Sequence, residues 1–269
     1  MRQSTSASAL YFLDTMLLAV PRLPIRHPGE RMPHYARRVA RLPLKRLGYD
    51  IQRVDPHRRE TLEQAFRQLR RAGMRPQTVI DVGVATGTPE LYDAFPEAHF
   101  LLVEAVAENE PYLKNILERV SGEYALAAAT SEPGTISLHV SADPAERWNS
   151  TIFRTGGGET ARWAERQVPA VRIDDLVAER GLKPPFLIKA DTEGSELEVL
   201  RGAEATLEDT LAVALEVNVA DHLEGAPRLA DVVGFMADRS FAAYDIVGGF
   251  SRASDGALVI VDMVFVRES

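Results

Sequence analysis

The sequence predicts an α/β fold organised as a doubly wound, mostly parallel sheet, and three observations predict it. From about residue 76 onward, short apolar runs of strand length alternate with segments of helical periodicity. Three of the runs end in carboxylates: Thr78-Val79-Ile80-Asp81, His99-Phe100-Leu101-Leu102-Val103-Glu104 and Phe186-Leu187-Ile188-Lys189-Ala190-Asp191. The first passes directly into a glycine turn, Gly83 to Gly87, ahead of a helical pattern.

Residues 1–75 read as a basic, partly helical N-terminal extension and 76–269 as the sheet domain, with the boundary near Arg75-Pro76. The early apolar stretch, Ala9 to Val20, is interrupted by Asp14 and closed by Pro21. Its 12 residues fall short of the about 20 that a bilayer requires. It has no basic start beyond Arg2 and no convincing cleavage site, so a signal peptide is not expected either. Prolines and arginines interrupt Pro21 to Pro56 and leave a short helix around Tyr35 to Leu47. Residues 59–72 then form an amphipathic helix, with Leu62, Ala65, Phe66 and Leu69 at helical spacing.

In the sheet domain, strands are expected near 78–84, 99–105, 124–130, 186–191, 211–218, 242–247 and 257–266. Helices are expected near 88–95, 109–120, 174–181, 195–208 and 227–239. The stretch from Tyr244 to Val266 is too short to hold a crossover helix, so the last strand returns antiparallel to its predecessor. Thr135 to Val140 and Val168 to Ile173 add strands, and the segment between them is expected over the ligand face. Within it lie Gly156-Gly157-Gly158 and the flanking Trp148 and Trp163, which read as packing residues before they read as a lid.

At 269 residues, 45% apolar and 26% charged, the chain has the composition of a globular domain with a substantial core. It has no cysteine, which excludes disulfides, thiolate metal sites and a cysteine nucleophile and fits a cytoplasmic setting. The net charge of -8 conceals a division: residues 1–76 hold 16 Lys+Arg against 6 Asp+Glu, and the rest 15 against 33. The basic part is expected to pack on the acidic domain or on a symmetry mate in a homo-oligomer; the sharper alternative is peripheral contact with an anionic membrane or an acidic partner. Nucleic acid is not expected as a partner, because the body is acidic.

The glycine turn and the acid ending the next strand describe a nucleoside-cofactor cradle: glycine admits close backbone approach, and Glu104 can accept from both ribose hydroxyls. A dinucleotide would need G-x-G-x-x-G, whereas this loop reads D-x-G-x-x-x-G, with Ala85 at the middle glycine position. Asp81 immediately ahead of the turn repels a pyrophosphate but suits the ammonium and sulfonium of S-adenosylmethionine. The alternative is a strand-to-helix turn that binds nothing.

A second constellation is more specific. The run IKADTEGSELEVLRGA (188–203), preceded by VRIDDL and by NSTI, resembles the FkbM family of S-adenosylmethionine-dependent methyltransferases, whose members methylate hydroxyls of sugars and natural-product scaffolds. The resemblance covers about residues 76–266 and implies the class I methyltransferase fold, Rossmann-like, whose sheet carries one antiparallel strand near its edge. It implies that Asp81, Gly83 and Gly87 form the methionine-side loop, that Glu104 is the ribose acid and that Asp191 is the acid at the reacting end. Asn149, Ser150 and Thr151 match a small polar patch facing substrate or cofactor. The loop departs from the family where Val84-Ala85-Thr86 stands in place of the commoner Ala-Asn-x.

Leu215-Glu216-Val217-Asn218 brings another carboxylate and an amide to the same sheet edge. Asp191, Glu216 and Asn218 are hard oxygen ligands in a layout similar to the metal site of catechol-type O-methyltransferases, so they are the candidate ligands of a magnesium ion; solvated or capping acids are the alternative. Asp191, at the reacting end, is a candidate catalytic residue together with His222 and Lys189, the candidate proton acceptors, with structural pairing to a neighbouring acid the first expectation for Lys189. The expected function is S-adenosylmethionine-dependent O-methylation of a small-molecule or glycan acceptor, whose choice lies in loops 141–167 and 219–229. N- or C-methylation, a non-catalytic cofactor-binding assembly subunit and a nicotinamide oxidoreductase are the alternatives.

Overall fold

Thr61 opens helix α1 (Leu62–Arg71), its hydroxyl accepting the Gln64 amide at 3.3 Å, with Glu63 in the first turn and Arg70 and Arg71 in the last. The computed structural model describes residues 59–143, 150–152, 154–155, 163–220 and 223–268. The apolar stretch at 9–20, the helix expected at 35–47, Trp148, Asn149, the triple glycine and His222 therefore lie outside the described residues. The boundary expected at 76 falls too late: the compact unit begins at Pro56 and includes α1. The reason is burial. Ala65, Phe66 and Leu69 are wholly buried, Phe66 meets Phe95 edge to face, and Arg70 binds the Ala94 carbonyl and the Glu97 carboxylate.

Along the chain follow β1 (Thr78–Val82), α2 (Pro89–Ala94), β2 (His99–Glu104), a 3-10 turn (Ala107–Asn109), α3 (Glu110–Leu117) and β3 (Gly122–Leu126). Next come β4 (Ala128–Ala129), β5 (Gly134–Ser141), β6 (Ser150–Thr151), β7 (Arg154–Thr155) and β8 (Trp163–Val171). After these are α4 (Ile173–Arg180), β9 (Phe186–Ala190), α5 (Glu196–Arg201), α6 (Glu204–Glu208) and β10 (Thr210–Asn218). The unit closes with β11 (Leu223–Glu224), α7 (Leu229–Ala237), β12 (Phe241–Ser251) and β13 (Leu258–Arg267).

The main sheet has seven strands in the order β12-β13-β10-β9-β1-β2-β3. Its five central and flanking strands are parallel, and β13 runs antiparallel to both β10 and β12. This is the class I methyltransferase order, with the antiparallel strand where the short Tyr244–Val266 connection requires one. Every residue of β1 and β9 is buried, because helices cover both faces, and the strands accordingly read as continuous apolar runs. On one face Ile80, Leu101, Ile188 and Val213 pack under α4, α5, α6 and α7. On the other Val79, Phe100, Leu102 and Leu187 pack under α1, α2 and α3.

Two elements differ from expectation. The helix expected over 195–208 breaks at Gly202, where a Cβ would lie 2.1 Å from the Thr130 carbonyl oxygen. Asp174, from the VRIDDL run, caps the second piece by accepting the Ala205 and Thr206 amides (3.1 and 2.9 Å) and the Thr206 hydroxyl (2.7 Å). The strand expected over 168–173 is longer and earlier, Trp163–Val171, while Ile173 opens α4 with Asp174 and Asp175 in its favourable first turn. Trp163 sits in that strand opposite Ser141 and is half-buried. Strands β4, β8, β5 and β6 form a second, four-stranded sheet with its own small core around Leu138, Val140 and Val168. Among the described residues no helix is long and apolar enough to cross a membrane.

Removal of residues 1–54 is expected to leave a cooperatively folding unit, whereas Phe66→Ala within it costs about 3–5 kcal/mol by loss of a fully buried ring. Urea unfolding of the two truncated proteins checks this; a cost below about 1 kcal/mol for Phe66→Ala would contradict the place of α1 in the core.

Candidate active site

Winding of the sheet reverses between β1 and β9, and ligands of open α/β sheets bind outside the carboxyl ends of strands at such a point. A cavity of about 340 Å³ lies there. Its walls are the glycine loop from Gly83 to Thr88, Glu104, Ala127 to Ala129, the tips of β9 and β10 at Asp191 and Glu216, and Leu138, Ser150 and Ile152 of the small sheet. Of the segment expected over the ligand face, between the strands at 135–140 and 168–173, Ser150 and Ile152 reach the cavity, and much of the remainder lies outside the described residues.

Glycine at position 83 is a steric requirement. Its φ is +74°, and a Cβ there would lie 1.8 Å from the Asp191 carbonyl oxygen. Strand tips β1 and β9 thus touch backbone to backbone, reinforced by the Asp191 amide donating to the Val82 carbonyl at 3.1 Å. Glu104, almost wholly buried, accepts the Ala85 amide on Oε2 and the Val106 amide on Oε1, each at 2.7 Å. Burial raises its carboxyl above the ordinary value against the opposing pull of those amides. Each oxygen keeps a lone pair, so the seat has the donor-accepting capacity that a ribose diol requires.

Asp81 differs from the role carried over by resemblance. Its side chain is 0% exposed and forms no part of the cavity wall. Oδ2 accepts the Tyr92 hydroxyl at 2.7 Å, and Oδ1 lies 3.3 Å from the Lys189 ammonium, its neighbour in register on β9. Lys189 also donates to the Gly83 carbonyl at 3.1 Å and faces Asp191 Oδ2 at 3.4 Å. Burial by itself lowers an ammonium, but Asp81 and Asp191 outweigh it and hold Lys189 above its ordinary value. The contacts with both acids are the structural pairing first expected of this lysine. Asp191, whose side chain is 42% exposed, faces the cavity.

The D-x-E-G-x-E element folds around Glu196, which accepts the Thr192 amide and hydroxyl (2.9 and 3.1 Å) and the Gly194 amide (3.2 Å). Glu193 lines the cavity at φ +52°, and its carbonyl accepts the Thr151 hydroxyl at 2.7 Å, which joins the small sheet to this loop. Of the polar patch, Ser150 lines the cavity, Thr151 anchors the loop, and Asn149 lies outside the described residues. The sequence held no signal for Tyr92 or Asp262 as members of this neighbourhood, since each is polar within an otherwise apolar pattern.

The magnesium expectation does not fit this donor set. Among the described residues no three His, Asp or Glu side chains gather at metal-binding distance. Asn218 is buried beside Gly194 and is not part of the cavity wall, which only Asp191 and Glu216 of the expected ligands reach. Glu216 holds its proton well above the usual range, through burial first and then repulsion from Asp191, Glu193, Glu196 and Asp262.

A sequence profile for the FkbM methyltransferase domain matches residues 81–242, from the last buried acid of β1 into β12. The chain belongs to this family. As an FkbM-family protein it is an S-adenosylmethionine-dependent methyltransferase, and the Glu104 seat is the part of its cavity suited to that cofactor's ribose. No curated protein sequence matches it significantly. Solved structures similar to it include precorrin-6y C5,15-methyltransferase from Geobacter metallireducens GS-15, at 12% identity over 79% of this chain and 93% of that one with a TM-score of 0.39. Magnesium protoporphyrin IX methyltransferase from Synechocystis PCC 6803, solved with bound SAM, is 10% identical over 90% of this chain and 100% of that one, TM-score 0.41. TehB from Haemophilus influenzae is 7% identical over 76% and 62%, TM-score 0.41.

The crowded acids predict a pH dependence for this FkbM-family domain. Burial foremost raises Glu196 to about 7 and Asp262 to about 6, and raises Glu193 and Glu216 in the same direction. Folded-state values above the unfolded ones mean that the folded protein binds more protons, so this contribution is complete below the unfolded carboxylate range and is lost as pH rises through 6 to 7. Ligand-free stability is expected to fall by about 1–3 kcal/mol from pH 5 to pH 8. Glu216→Gln removes one member of the cluster and should flatten that fall. Equal slopes for both proteins in denaturant titrations would contradict the account.

Proposed function

We propose that the protein methylates a hydroxyl of a small-molecule or glycan acceptor. The observation that carries this reading is a cavity with a cofactor seat at one side, Glu104 beside the glycine loop, and an open carboxylate, Asp191, at the other. S-adenosylmethionine, when bound, supplies an electrophilic methyl group. Glu104 and the glycine loop hold and orient the nucleoside, and Leu138 and Ile152 present an apolar wall that limits water. Asp191 accepts the proton that the acceptor hydroxyl must lose as its oxygen becomes an ether. A hydroxyl is favoured over an amine because the site offers a fixed proton acceptor and no aromatic cage for an ammonium among its described walls.

S-adenosylhomocysteine at about 100 times its dissociation constant should stabilise the protein by about 2.7 kcal/mol, and NAD should not. Glu104→Ala should abolish the thermal shift. Incubation with labelled S-adenosylmethionine and a panel of polyol, aminosugar and phenolic acceptors should yield methyl ethers identifiable by NMR, with Asp191→Asn reducing their formation at least about 100-fold. N-methylated products alone would reject the hydroxyl assignment, and a shift with NAD but none with S-adenosylhomocysteine would reject the cofactor.

A further inference from the structure

The Lys189 ammonium shares one partner, Asp191, with the set expected to hold a metal. It donates to the Gly83 carbonyl at 3.1 Å and makes ion-pair contacts with Asp81 Oδ1 at 3.3 Å, an oxygen with no hydrogen-bond partner, and with Asp191 Oδ2 at 3.4 Å. The lysine side chain is 5% exposed and Asp81 0%, so neither charge has water to fall back on. Asp81 is itself fixed from its second oxygen by Tyr92 of α2, the helix that follows the glycine loop. One ammonium therefore touches the loop that seats the cofactor and the carboxylate that faces the acceptor.

We propose that Lys189 is a positioning residue, the resident cation that locks Asp191 to the glycine loop so that the cofactor seat and the acceptor-side carboxylate hold one fixed geometry. A lysine that only filled space would not need to reach the Gly83 carbonyl and Asp191 together. The backbone contacts between the same two tips, Asp191 amide to Val82 carbonyl and Gly83 against the Asp191 carbonyl, align the strands but leave the Asp191 carboxylate free to rotate. Lys189 removes that freedom and partly neutralises the carboxylate. The inference rests on the reading of the cavity as an S-adenosylmethionine site with its sulfonium toward Asp191.

Calorimetric titration with S-adenosylhomocysteine and S-adenosylmethionine tests it, because the two ligands differ by the sulfonium charge. Lys189→Met is expected to weaken S-adenosylhomocysteine at least about tenfold through the loosened loop. It should also shift relative affinity toward S-adenosylmethionine by about fivefold or more, since Asp191 then meets the sulfonium without a counter-charge. Asp81→Asn/Lys189→Met removes the buried acid together with its partner, so the test survives if the single variant fails to fold. Lys189→Arg retains the charge and should keep the affinity ratio within about twofold of the wild type. An unchanged ratio in folded methionine variants overturns the inference and leaves the cofactor reading intact. A wild type that binds neither ligand overturns both.

Discussion

The site depends on one buried ion pair between adjacent strands. Asp81 and Lys189 are register neighbours on β1 and β9, both withdrawn from water at the place where the sheet reverses its winding. Removing two charges from solvent is costly, and mutual attraction offsets that cost only when the remaining donors and lone pairs also find partners. Here Tyr92 serves Asp81 Oδ2 and the Gly83 carbonyl and Asp191 serve Lys189, while Asp81 Oδ1 has the ammonium's charge but no hydrogen bond. The consequence is mechanical: α2, the glycine loop and the tip of β9 are held by the same small set of contacts and cannot be rearranged singly.

Around that pair the sheet edge concentrates acids. Asp191, Glu193 and Glu216 line the cavity, with Glu196 and Asp262 close enough to raise the proton affinity of Glu216. Among the described residues that line the cavity Lys189 is the one cation. The fold manages this charge in three ways: backbone amides hold Glu104 and Glu196, the ammonium holds Asp81 and Asp191, and burial with the neighbouring acids raises the proton affinity of Glu216. An edge of this character suits a ligand that brings positive charge, and it disfavours one that brings phosphate.

The fold was legible because parallel strands covered on both faces appear as near-continuous apolar runs, and β1, β2, β9 and β10 do, apart from a few acids and Lys189. The antiparallel last strand was legible from the shortness of its connection. Element ends were less so. The break at Gly202 depends on the Thr130 carbonyl about 70 residues away in sequence, and the early start of β8 depends on pairing with β5, neither of which local periodicity encodes. The place of α1 in the core was hidden because an amphipathic helix states that it has an apolar face without stating what that face covers.

By itself the sequence determined which residues stand at the strand tips, that a glycine turn follows the first strand, and that Glu104 closes the second strand beside it. These follow from side-chain alternation and from the sterics of a strand-to-helix turn, which are local. Tertiary structure alone decided that Asp81 is buried against Tyr92 and Lys189 and off the cavity wall, that Asn218 is not part of that wall, and which acids the paired Lys189 meets. A carboxylate's role depends on what lies opposite it, and for Asp81 that is a residue more than 100 positions further along the chain, brought into register only when β9 pairs with β1.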